Sequence, residues 1–334
     1  MFSSSLYQEE PMHPDWAPEL LNRIVEKAGT VIAGHNEEIR LVLIAMLAGG
    51  HILLEDVPGV GKTMLVRTVA ATLGCDFGRI QFTYDLVPGD ITGTSVYYPN
   101  SGQFEFRPGP VLSSHIILAD EINRASPRAQ SALLEAMEER KVTVDGQTYP
   151  LPSPFFLLAT QNPYEFEGTN RLPEAQMDRF LMRLSLGYPA FENELMMLER
   201  GDGRNPLDHL KPMVAASELV SMQLSATRVY VDESIKKYLV AVADASRKQT
   251  GVRLGISPRG TLAWMRASQA SAFMDGRMYV IPDDCLRVAV PVLAHRIQLA
   301  YEARSSGIGQ TEMVDALTKM FELPRQRSRK GGRT

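Results

Sequence analysis

The stretch LLEDVPGVGKTM, Leu53 to Met64, decides how the rest of the chain is read. Gly61, Lys62 and Thr63 fit the end of the phosphate-loop pattern G-x-x-x-x-G-K-[ST], while Asp56 stands at its first glycine. In such a loop the phosphate is held by successive backbone N–H groups and by the positive end of the following helix. Here those donors come from Gly59, Val60, Gly61, Lys62, Thr63 and Met64, and Pro58 stiffens the approach. The first glycine has only a conformational role where the strand ends, and an aspartate can make that turn by bonding its own backbone. The loop is therefore expected to bind phosphate. Lys62 would neutralise the β- and γ-phosphates, and the Thr63 hydroxyl would ligate Mg²⁺.

The flanking chain has the pattern this loop requires. HILLE, before it, reads as a short buried strand. TMLVRTVAATLG, after it, sets Leu65, Val69 and Leu73 on one helical stripe and stops at Gly74. HIILAD and PFFLLATQNP read as further buried strands. Apolar runs alternating with helical patterns predict an α/β core, a parallel sheet covered by helices.

Four later stretches carry chemistry. HIILADE ends in Asp120-Glu121, where Asp120 can reach the water shell of the ion on Thr63 and act as a second metal carboxylate. Glu121 has the chemistry to orient and deprotonate an attacking water, which separates a hydrolase from a small-molecule kinase. Asn162 lies just past a buried strand, where an amide can reach the γ-phosphate and that water together. In RLPEAQMDRFL, Arg171 and Arg179 are both candidates to stabilise charge on a transferring phosphoryl group. Arg259, in the first turn of a later helix, would project from that helix start toward a partner.

Two segments interrupt the alternation. TSVYYPNSGQFEFRPG reads as a hairpin around Pro99-Asn100-Ser101-Gly102, and KVTVDGQTYPL as a second, turned at Asp145-Gly146. From about residue 190 the strands stop, and GDGRNPLDHLKP reads as a linker. DESIKKYLVAVADASR then sets Ile235, Tyr238, Leu239 and Val242 on one face behind an Asp232 cap. SPRGTLAWMRASQASAFMDG starts at a Ser257 cap and ends near Gly276, and PDDCLRVAVPVLAHRI gives more helix, broken at Pro291. The expected layout is a core over 1–190, connecting chain over 191–228, a small all-helical domain over 229–322 and a disordered basic tail over 323–334.

Composition narrows the classes. The chain has 334 residues, 44% hydrophobic and 22% charged, as in an ordinary globular protein with a sizeable core. A formal net charge of −4 gives no bulk attraction to nucleic acid or anionic lipid. Two cysteines, Cys75 and Cys285, fit no metal-ligand spacing and suit a reducing compartment. The first sixteen residues have neither the basic region nor the apolar run of a secretory signal, and LVLIAMLAGGHILL is too short to span a bilayer. These features predict a cytoplasmic protein.

Taken together, LLEDVPGVGKT, QFTYDLVPGDITGT, ILADEINRASPRAQSALLEAMEE, LATQNP, LPEAQMDRF and ISPRG resemble the MoxR-type AAA+ ATPases, in order, over roughly residues 30 to 297. The resemblance implies a P-loop AAA+ core with a helical lid closing over ATP and Mg²⁺, and assembly into a homo-oligomeric ring, usually of six. It places Val31, Ile32 and Gly34 against the adenine and makes residues 85–110 the helix-2 insert. The hairpin over 140–152 becomes the pre-sensor-1 hairpin, Asn162 sensor 1, Arg179 the arginine finger and Arg259 sensor 2. It implies a chaperone-like remodeller of client complexes, often with a von Willebrand factor A domain partner and sometimes for metal insertion. Three positions depart from the family pattern: Asp56; Arg171, where proline is frequent, which makes it a second candidate finger; and His35, where glutamine is frequent. The alternatives are a magnesium-chelatase-like motor subunit, a nucleotide-gated scaffold with little turnover, and a DNA-translocating motor, which the acidic balance disfavours.

Overall fold

Ile52, Leu53 and Leu54 have no exposed surface, a condition a strand meets only when helices cover both faces of its sheet. In the structure, a computed structural model that describes residues 16–163, 170–199, 207 and 210–323, this strand is surrounded as that condition requires. The stretch before Trp16, most of the Gly/Pro-rich stretch from Gly201, and the basic tail from Pro324 lie outside the described residues. The chain divides after Ala226 into two compact units.

The first unit begins with helices α1 (Ala17–Gly29) and α2 (Asn36–Leu47), then strand β1 (Ile52–Glu55) and helix α3 (Lys62–Thr72). Every residue from Leu41 to Leu47 is buried, so α2 is apolar all round and packs inside the unit. After α3 come β2 (Phe77–Gln81), α4 (Pro88–Thr92), the hairpin β3 (Gly93–Tyr98) and β4 (Gln103–Pro108), α5 (Pro110–Ser113) and β5 (Ile116–Asp120). Helix α6 (Pro127–Glu139) leads to a second hairpin, β6 (Lys141–Val144) and β7 (Gln147–Pro150), and then to β8 (Phe156–Gln161). Asp145 and Gly146 both have positive φ, 51° and 78°, the geometry of a two-residue turn that matches strand twist. Helix α7 (Glu174–Met177), β9 (Met182–Leu184), α8 (Phe191–Glu199) and α9 (Ala216–Thr227) complete the unit.

The five-stranded sheet has the order β2-β5-β8-β1-β9 with parallel pairing throughout. Both hairpins form as expected, with Tyr98 opposite Gln103 and Val144 opposite Gln147. Residues 191–228, expected as connecting chain, carry α8 and α9. Leu219, Met222 and Ala226 of α9 are buried, and Gln223 Nε2 donates to the Met46 carbonyl at 2.6 Å.

The second unit holds α10 (Glu233–Lys248), β10 (Val252–Leu254), α11 (Pro258–Met274), α12 (Pro282–Leu293), β11 (Gln298–Leu299), α13 (Tyr301–Ser305) and α14 (Gln310–Lys319). Asp232 caps α10 through the Ser234 amide, and Ser257 caps α11 through the Gly260 amide, both at the expected positions. Two readings of the sequence need correction. The unit is helical but includes a short antiparallel pair, β10 with β11. Pro291 does not break α12, which runs on to Leu293 before tightening into a 3₁₀ turn over Ala294–Arg296. A proline this close to a helix end removes a single intrahelical bond and leaves too little helix beyond it to kink.

Candidate nucleotide site

β1 delivers the chain into the loop, and α3 begins at Lys62. Gly59 and Gly61 have φ of +88° and +90°, and a Cβ on either would meet nothing within 4 Å. The loop is thus a left-handed, open cradle at the N-terminus of an 11-residue helix, where backbone donors and the helix dipole favour an anion. Lys62 Nζ donates to the Asp56 carbonyl at 3.1 Å. Asp56 bonds its own backbone as expected, accepting from the Val57 amide at 3.2 Å on Oδ1. Its other oxygen does more than the turn requires. Oδ2 accepts from the amides of Leu186 and Gly187, the latter at 3.0 Å, and from Ser185 Oγ at 3.3 Å.

The ends of β5 and β8 lie at the same edge of the sheet. Ile116 to Ala119 of β5 pair in parallel with Phe156 to Ala159 of β8, so Asp120 and Thr160 come level. Thr160 Oγ1 donates to Asp120 Oδ1 at 2.6 Å and accepts from the Glu121 amide at 2.9 Å. One buried hydroxyl therefore sets both acidic residues. Glu121 itself has φ of 58° and ψ of 49°, a left-handed conformation that costs a non-glycine residue about 1–2 kcal/mol. Strain of this kind persists where surrounding bonds over-determine it, as they do here.

β2 closes the other side. Arg79 Nη2 donates to Asp120 Oδ2 at 2.6 Å, Gln81 Nε2 to Glu121 Oε2 at 2.9 Å, and Arg124 Nη1 to the same oxygen at 2.9 Å. Asp120 is 9% exposed, so its charge depends on these partners. The sequence reading missed Arg79, Gln81, Arg124 and Thr160. A signal existed for three of them: a lone threonine at the end of the apolar run FFLLAT, and the alternation of Arg79 and Gln81 around buried Ile80.

The donors that could hold Mg²⁺ are the Thr63 hydroxyl and the Asp120 carboxylate, hard oxygens of the kind this ion prefers. Among the described residues no group of three His, Cys, Asp or Glu side chains could hold a metal alone. Neither cysteine offers thiolate chemistry, because burial pushes the thiol of Cys75 up to about 11 and that of Cys285 up to about 12.

Val31 and Ile32, after α1, both donate their amides to the Ala28 carbonyl at 2.9 Å. α1 packs on α3, the helix that follows the phosphate loop. Gly34 has φ of +87°, and a Cβ there would collide with Asn193 of α8. His35 is buried, with Nδ1 3.5 Å from the Glu38 carboxylate. Asn162 directly follows β8, which lies between β1 and β5.

The structure thus places Lys62, Thr63, Asp120, Glu121 and Asn162 at or past the C-terminal ends of the central strands β1, β5 and β8. Arg179 lies against α6 instead, with Nε 3.0 Å from Glu138 Oε2. It borders a polar cleft of about 450 Å³ lined also by Glu135, Glu139, Lys141 and Gln176. Arg171 is exposed in the segment before α7. Arg259 is exposed in the first turn of α11, in the second unit.

Known proteins share this fold. The profile of the "ATPase family associated with various cellular activities (AAA)" matches residues 51–182, and that of the "AAA lid domain" matches residues 244–317. "Uncharacterized protein YeaC" of Bacillus subtilis is 49% identical, over 96% of this chain and 98% of its own length. "Chaperone MoxR1" of Mycobacterium tuberculosis is 40% identical, over 91% of this chain and 82% of its own. A crystal structure of a protein from Cytophaga hutchinsonii, assigned as an ATPase, superposes with a TM-score of 0.86 at 38% identity. That match covers 93% of this chain and 97% of the other.

Proposed function

The chain belongs to the MoxR-type AAA+ ATPases, and on that premise we propose that it hydrolyses ATP as a ring-forming motor that remodels client protein complexes. The observation that carries the hydrolytic part is the shared Thr160 hydroxyl, which holds the Asp120 carboxylate and the Glu121 amide beside the phosphate loop. A metal carboxylate and a neighbouring carboxylate at the end of one strand, near a phosphate cradle, suit attack of water on a phosphoryl group.

In this reading the backbone donors from Gly59 to Met64 hold the phosphates, and Lys62 leaves the Asp56 carbonyl to pair with them. Thr63 and Asp120 would hold Mg²⁺, and the chemistry it would supply is neutralisation of phosphate charge. Glu121 takes the proton from the attacking water, and Asn162 orients that water against the γ-phosphate. Val31, Ile32 and Gly34 line the base. Arg179, on a surface away from the phosphate loop of its own chain, serves the site of a neighbouring subunit, and Arg259 reports on the γ-phosphate from the lid. The client-directed part rests on one relative named as a chaperone. A von Willebrand factor A domain partner, a ring of six and a role in metal or cofactor insertion belong to the same proposal.

The test is Glu121→Gln. The variant should bind ATP like the parent yet hydrolyse it about 10²–10⁴-fold more slowly, the usual loss on removing a general base. Turnover close to that of the parent, in protein shown to bind ATP, would refute the role of Glu121. In a pull-down with ATP the same variant should retain its client on the closed ring.

A further inference from the structure

Asp56 is 5% exposed and makes bonds on two sides. Its carbonyl accepts from Lys62 Nζ, the group assigned to the phosphates in the reading above. Its carboxylate accepts from the Leu186 and Gly187 amides and from Ser185 Oγ, 129 to 131 residues further along the chain. The glycine that the loop pattern has at this position makes the turn equally well and can form none of the carboxylate bonds. Ser185–Gly187 follows β9, a three-residue strand that pairs on one side only, with β1. It turns at Gly187, φ +68°, and continues into α8, whose Asn193 lies against Gly34 in the base segment. Both the phosphate loop and the base segment are therefore held to one stretch, residues 185–193, through which the chain leaves the sheet.

We propose that Asp56 is a positioning residue that couples phosphate occupancy of the loop to the Ser185–Gly187 segment, an inference that rests on the nucleotide-binding reading above. A charged phosphate competes for Lys62 more strongly than a neutral carbonyl does. When Lys62 turns to it, the Asp56 main chain is released from the lysine while its carboxylate stays bonded to the segment. Order imposed on the loop by the nucleotide is then passed to Leu186 and Gly187 through one side chain.

The experiment is hydrogen exchange of the peptide Leu184–Tyr188, read by mass spectrometry in the full chain with and without saturating ATP, after a binding titration. In the parent, ATP should slow exchange in this peptide by about threefold or more, as expected when a local opening is suppressed. Asp56→Gly, which restores the pattern glycine, should bind ATP and lose that slowing. Asp56→Asn, which keeps one acceptor oxygen, should retain part of it. A purely structural role would lower the melting temperature of Asp56→Gly and leave the ATP-dependent ratio at the parental value, and that result overturns the coupling. So does a parent that binds ATP with unchanged exchange in this peptide, an arm that decides the matter even if neither variant folds. A parent that fails to bind ATP overturns the nucleotide-binding reading itself, and the titration reveals this before any exchange is measured.

Discussion

Replacing Thr160 by valine removes one oxygen from the centre of the site and changes little else. The side chain is fully buried and valine has nearly the same shape, so no cavity forms. Two bonds are lost. Asp120 loses a charge-assisted donor at 2.6 Å, and the Glu121 amide loses its acceptor at 2.9 Å. A hydrogen bond to a charged group contributes about 1.5–3 kcal/mol, and a buried donor left unsatisfied costs about 1–3 kcal/mol, so Thr160→Val should lower stability by roughly 3–5 kcal/mol. The lower end applies if Arg79, already on Asp120 Oδ2, absorbs part of the loss.

The hydrolytic effect is separable from the stability effect. Thr160 holds the left-handed turn at Glu121, and without it that carboxylate can relax toward an ordinary backbone conformation. The ATPase rate should fall at least about tenfold under conditions where the variant is still folded, because each 1.4 kcal/mol lost from transition-state stabilisation is tenfold in rate. Urea unfolding gives the stability term, and steady-state phosphate release gives the rate. A double-mutant cycle with Asp120→Asn then tests the route: if Thr160 acts through the acidic pair, the two losses are strongly non-additive. A Thr160→Val protein with parental urea midpoint and parental turnover would refute the reasoning, since it would mean that neither bond matters.

Other expectations follow from particular contacts. Arg179→Ala subunits should bind ATP, assemble and fail to hydrolyse; mixed with Lys62→Ala subunits they should regain part of the activity, and Arg171→Ala in parallel shows whether the finger is the other arginine. His51 is buried, which together with the nearby Arg140 charge lowers its pKa from 6.5 to about 3, so the unfolded chain takes up a proton in that window that the folded chain excludes. Stability from this group is therefore complete above pH 6.5 and lost as the pH falls toward 3, by about 2 kcal/mol at pH 5, and His51→Leu should flatten the slope seen in urea titrations. Arg277 bonds both oxygens of Asp284, which is 1% exposed, so Arg277→Ala should cost the second unit about 3 kcal/mol, read as a lower unfolding midpoint.

How much of this was legible in the sequence depends on where each residue lies in the sheet. β1, β5 and β8 are central and buried on both faces, so ILLE, IILAD and FFLLAT are nearly continuous apolar runs that signal strand whatever follows. β2 and β9 are the edges. β2 exposes alternate residues and β9 has three, so FGRIQ and MRL look like loop. Cap and turn residues were equally legible, because Ser257, Asp232 and Asp145-Gly146 act on backbone within a few positions of themselves. The same division runs through the site. Lys62, Thr63, Asp120, Glu121 and Asn162 belong to short motifs at strand ends, which local pattern can find.

The residues that hold those motifs in place act across the sheet. Arg79 reaches Asp120 over 41 positions, Thr160 reaches it over 40, and Asp56 reaches Leu186 over 130. No local pattern encodes such a pairing, because its partner is fixed by strand order and register alone. Once the order β2-β5-β8 and the level of Ala119 with Ala159 are known, the threonine and the arginine are seen to satisfy a carboxylate that is almost fully buried. Asp56 shows the limit of motif reading most sharply. At the level of the pattern it is a tolerated departure from glycine. At the level of the fold, that departure supplies a carboxylate joining the phosphate loop to the chain that leaves the sheet after β9, a difference only a side chain can make.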